Sequence, residues 1–164
     1  MWGGDSAPAA ETAPIILPVN ADTAEVLSGG VSVQEVPKDF FGMWRVSSDL
    51  ISTNTQGVFK THGVDFWNIS RKGNIMYLEN PFSGAKASIS ICELKGSYIK
   101  FEKNGNFDGQ KLTDKVAITL SKNTFTGINK LKLDTFSDYD NKVIKSNTAI
   151  YKLTGEKISG TGLK

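Results

Sequence analysis

The chain of 164 residues predicts an all-β fold, an eight-stranded antiparallel up-and-down β-barrel with an extended N-terminal arm. Three observations lead there. From Asp39 onward no stretch repeats at the helical period, while short β-branched and aromatic runs are punctuated by Gly, Asn, Asp and Lys. Those runs number eight, and the connections between them alternate between short and long. Four of the five prolines fall within residues 1–38, a segment with no sustained period of either kind.

Residues 1–38 therefore read as an arm or linker, and residues 39–164 as the barrel domain. Within the arm, Ile15, Ile16 and Leu17 are too apolar for an idle spacer. They are expected either to dock on the following domain or to be donated as an extended strand to a partner, another subunit included. The arm carries five acids against Lys38, a net −4, which leaves +6 for the rest of a chain whose overall charge is +2.

The predicted strands span residues 40–52, 64–70, 74–79, 86–94, 97–103, 111–121, 124–134 and 143–153. Period-two alternation is plain at Ala87, Ile89 and Ile91, at Ile99 and Phe101, and at Val116, Ile118 and Leu120. It is ambiguous where Phe66, Trp67 and Ile69 do not share a face. Arg71-Lys72-Gly73, Lys95-Gly96 and Lys122-Asn123 read as hairpin turns, because such residues accept positive φ and match strand twist. The longer connections, 53–63, 80–85, 104–110 and 135–142, then gather at the other end. Eight strands in about 125 residues suit a closed barrel, which has no exposed edges. A Greek-key sandwich is the alternative.

Residues Asp39-Phe40-Phe41-Gly42-Met43-Trp44 resemble the Gly-x-Trp signature that opens the first strand of lipocalins and related calycins. The resemblance implies that Gly42 lets the chain bend across the closed end and that Trp44 plugs it. An arginine usually packs over that tryptophan. This chain has none after Arg71, which leaves Lys152 as the candidate for that place. The family's disulfide and the helix after its eighth strand are also missing.

Composition narrows the function classes. With two arginines, Arg45 and Arg71, and no basic cluster, nucleic-acid binding is not expected. No apolar run reaches the length of a transmembrane segment. The single cysteine, Cys92, and the single histidine, His62, provide neither an internal disulfide nor a metal cage. Asp134, Asp138 and Asp140 fit no standard calcium loop. No phosphate loop, nucleophile elbow or paired-cysteine site occurs, so the chain is expected to be no enzyme and to need no cofactor and no metal. An enzyme would need His62 in a cavity with a carboxylate in reach. Met1–Asp5 lacks the basic and apolar regions of a signal peptide, while the Ser, Thr, Asn and Gly-rich strands resemble those of exported bacterial proteins. The expected location is extracytoplasmic, periplasmic or secreted.

Each long connection holds a phenylalanine: Phe59, Phe82, Phe107 and Phe136, with Tyr139 beside the last. These rings are expected at the barrel mouth, closing over a small apolar molecule. They could equally fold inward over a filled core. The expected function is non-enzymatic binding of a small, largely apolar ligand. The alternative is a structural or surface-assembly module whose arm engages a partner subunit.

Overall fold

In the computed structural model, residues 33–160 are described, apart from the side chain of Phe107. Two short 3-10 turns, Val33–Glu35 and Lys38–Phe40, lead into eight strands: β1 Gly42–Thr53, β2 His62–Lys72, β3 Ile75–Glu79, β4 Lys86–Lys95, β5 Tyr98–Phe107, β6 Gln110–Ser121, β7 Thr124–Phe136 and β8 Val143–Ser159. Every consecutive pair is antiparallel, and β1 also pairs with β8, so the sheet closes as a barrel. Closure satisfies the backbone groups that an open sheet would leave at its edges.

Alternation determines which side chains fill the interior. On β6, Leu112, Asp114, Val116, Ile118 and Leu120 are buried between residues that face outward. On β2 the ambiguity resolves with Asp65, Trp67 and Ile69 inside, while Phe66 lies on the outer wall. The hairpin turns use positive φ as expected, at Gly73 (64°), Gly96 (59°) and Lys122 (56°).

Two expectations need correction. The connection 104–110 is not a long loop: β5 continues to Phe107 and pairs it with Gln110, leaving a turn at Asp108-Gly109. Three long connections therefore remain at the mouth, and the Phe107 backbone belongs to a strand. The last strand also runs six residues past Leu153, to Ser159. Gly155 there is a packing residue, because a Cβ at this position would lie 2.3 Å from the Phe125 ring. Ile15, Ile16 and Leu17 lie outside the described residues.

Candidate functional site: a polar layer above an aromatic floor

The lower end of the barrel is a floor of rings. Trp44, Trp67, Phe101 and Phe125 are fully buried, with Trp67 stacked on Phe125 at 5.7 Å and edge-on to Phe101 at 6.0 Å. Trp44 lies 4.9 Å from Phe125 and donates its indole N–H to the carbonyl of Phe40 at 2.9 Å. Gly42 sits at φ 127°, and a Cβ on it would come within 2.6 Å of the Ser159 carbonyl oxygen. Only glycine takes this bend without strain, so the chain can cross the barrel end and deliver Trp44 inward.

A cation covers that tryptophan, and it is Lys157 rather than Lys152. Lys152 is exposed on the outer wall. Lys157, on the extended part of β8, places Nζ 4.8 Å from the centroid of Trp44 and donates to the carbonyls of Asp39 and Phe41, the latter at 2.6 Å. Burial pushes its pKa below the ordinary lysine range, while the charge of Asp39 opposes that fall. One ammonium thus joins the turn before β1, the plug and the end of β8.

Above the floor the lining changes character. The inward positions Ser48, Gly63, Ala87, Gly105 and Ala149 are small, and among them stand the buried polar residues Asp65, Lys103, Asp114 and Asn129. Lys103 and Asp114 are cross-strand partners on β5 and β6, while Asn129 on β7 donates its amide to Asp114 Oδ1. Asp65 Oδ1 accepts from the Asn80 amide at 2.7 Å and from the Phe66 N–H at 2.9 Å. In this layer three buried acceptors have no hydrogen-bond partner: Asp65 Oδ2, Asp114 Oδ2 and Asn129 Oδ1. Native interiors seldom leave such atoms unmet.

The electrostatics match this geometry. Desolvation raises the pKa of Asp114 to about 7, with the Lys103 charge lowering it and the Asp65 charge raising it. Asp65 is raised too, again chiefly by burial, against the opposing pull of its hydrogen bond from Phe66 and the charge of Lys103. None of the four residues stands out in the sequence, where each reads as a polar member of a strand. Parity is the signal that marks them: Asp114 shares its face with Val116 and Ile118, and Asn129 shares its face with Phe125 and Leu131.

The rings expected at the mouth have separate surroundings. Phe59 is buried in the core, and its loop is pinned to β8 by Tyr151 Oη donating to the Lys60 carbonyl at 2.6 Å. Phe82 is 75% exposed and meets the outer-wall Phe66 edge-on at 4.9 Å. Phe136 is half-buried at the end of β7, and Tyr139 is exposed. His62 does have a carboxylate in reach, Asp49 at 2.7 Å from Nδ1, but the pair is exposed rather than in a cavity. Cys92 is half-buried at an irregularity in the pairing of β4 with β5. Among the described residues no three His, Cys, Asp or Glu side chains are placed to hold a metal ion. Among the described residues no helix is long and apolar enough to cross a membrane.

An open depression of about 510 Å³ lies on the outer wall and includes Arg45, Ser47, Val64, Thr154 and Glu156. Arg45 and Glu156 pair at 2.5 Å, so its charged groups already satisfy each other. The interior is different, because its polar atoms still lack donors. No protein-family model, curated protein or solved structure matches the chain.

Proposed function

We propose that this protein is a lipocalin-like, non-enzymatic binding protein that holds a small, largely apolar ligand in the upper half of its barrel. The observation that carries the reading is the change in lining between the two halves. The floor is closed by Trp44, Trp67, Phe101 and Phe125, whereas the inward positions above it include the small residues Ser48, Gly63, Ala87, Gly105 and Ala149. Small residues surround unmet acceptors, an arrangement suited to a guest with an apolar body and a polar end. Gly42, Trp44 and a cation over the indole add to the likeness, with Lys157 where lipocalins place an arginine.

Native mass spectrometry of the protein from its own host, set against the denatured mass, tests this. The expected result is an added mass of a few hundred daltons that is lost on denaturation, an order of magnitude set by the volume of such pockets. A bare monomer would count against the carrier reading. A bare, discrete oligomer that collapses when residues 1–38 are deleted would replace it with the assembly module.

A further inference from the structure

We infer that the barrel interior recognises the ammonium group of an amphiphilic amine, with Asp65, Asp114 and Asn129 as acceptors and the aromatic floor beneath its hydrocarbon body. This rests on the barrel-ligand reading and names the class of ligand. Asp65 Oδ2, Asp114 Oδ2 and Asn129 Oδ1 are buried, converge from β2, β6 and β7, and lack a partner. An ammonium presents three N–H donors and no acceptor, whereas a hydroxyl offers one donor and a carboxylate none.

Asp65 and Asp114 are both held above the ordinary carboxylate range by desolvation, although positive charge, that of Lys103 included, pulls both down. Burial therefore outweighs the positive charge already near the two carboxylates. A further monocation favours their ionised forms, while the Lys103 ammonium disfavours a divalent ion. In the free protein a proton on Asp114 relieves this burial cost, and its pKa of about 7 places that proton within easy exchange. Among the described residues, the groups around Asp114 are Lys103 on β5, Asp65 on β2 and the neutral Asn129 on β7. Entry of an ammonium below pH 7 thus releases one proton to solvent, and the ion pair that forms has the net charge of the protonated site plus ligand minus that proton.

Titration calorimetry of the full chain with n-octylammonium, 1-octanol and octanoate tests the inference. The expected order is n-octylammonium tightest by at least about tenfold, then octanol, with octanoate excluded. As pH falls below about 7, n-octylammonium affinity drops by up to about tenfold per unit while octanol affinity stays level. D114N removes this pH dependence and most of the preference for the amine, and D65N weakens it if D114N does not fold. Equal binding of amine and alcohol at every pH would overturn the ammonium assignment and leave the barrel as an apolar binding site. Binding of none of the three would overturn the barrel-ligand reading itself, and this assignment with it.

Discussion

The two halves of the barrel use the same strands to opposite ends. Below, inward positions carry large aromatic side chains, with the Trp44 indole matched to Phe40 and the Lys157 ammonium to two carbonyls. Above, small and charged residues stand among Leu112, Leu131 and Tyr151, and three buried oxygens are unmatched. The lower half is built for stability, because burying rings and satisfying their polar handles lowers free energy. The upper half gives up stability, since a desolvated carboxylate is unfavourable until something neutralises it. That cost is the reason for proposing a ligand in the upper half.

The comparison is broken most directly at the plug. Trp44→Ala removes a fully buried ring in contact with Phe125 and the Lys157 ammonium, and should cost about 3–5 kcal/mol by chemical denaturation. That is a large share of the roughly 5–15 kcal/mol typical of a domain. A loss below about 1 kcal/mol would mean that the floor can collapse around the gap and is not the rigid half. Lys157→Met is the next step down. It preserves most of the volume but strips two carbonyls of their charged donor, so about 1.5–3 kcal/mol should be lost. Lys152→Met, on the outer wall, should stay within about 0.5 kcal/mol.

In the upper half the sign reverses. Asp114 has a folded pKa raised to about 7 from an ordinary value of 3.8, so the folded state holds its proton where the unfolded chain has lost it. Its contribution to stability is most favourable at low pH and declines as pH rises from about 4 through about 7, where the charged form must be carried inside. Asp65 adds a slope of the same sign. Thermal unfolding of the ligand-free protein should therefore show a melting temperature that falls between pH 5 and pH 8. Asp114→Asn should flatten that fall and leave the variant more stable than the parent by about 1–3 kcal/mol at pH 8. A destabilised variant at pH 8 would mean that the upper layer is as well satisfied as the lower one.

What was legible in the sequence follows the same division. The eight strands were readable because apolar residues at Ala87, Ile89 and Ile91, or Val116, Ile118 and Leu120, recur at period two. The plug was readable as a triplet at the start of the first strand. The ends of β5 and β8 were not, because Asn104-Gly105-Asn106 and Gly155 have turn-like chemistry. Yet Gly105 faces the interior, and Gly155 leaves room for the Phe125 ring. The polar layer was hidden for a deeper reason. Charged residues on a strand are normally solvated, and only the closure of the sheet turns Asp65, Asp114 and Asn129 toward one another. That convergence depends on contacts across the barrel, which no local pattern encodes.

The smallest expected effect comes from the rim, and it separates stability from binding. Phe82 is largely exposed and touches Phe66 only edge-on, so Phe82→Ala should change stability by no more than about 0.5 kcal/mol. Phe59 has the same side chain at the same end, but it is buried in the core and its loop is held by the Tyr151 hydroxyl. Phe59→Ala should therefore cost about 2 kcal/mol, on the low side for a ring because it sits at the margin of the core. Measured side by side, the pair shows how far the closed half extends upward. If Phe82→Ala leaves stability unchanged but weakens 1-octanol binding, the ring folds over the guest and the rim belongs to the binding half. If neither quantity moves, the binding half ends at the polar layer, and Phe82 lies on the outer wall with Phe66.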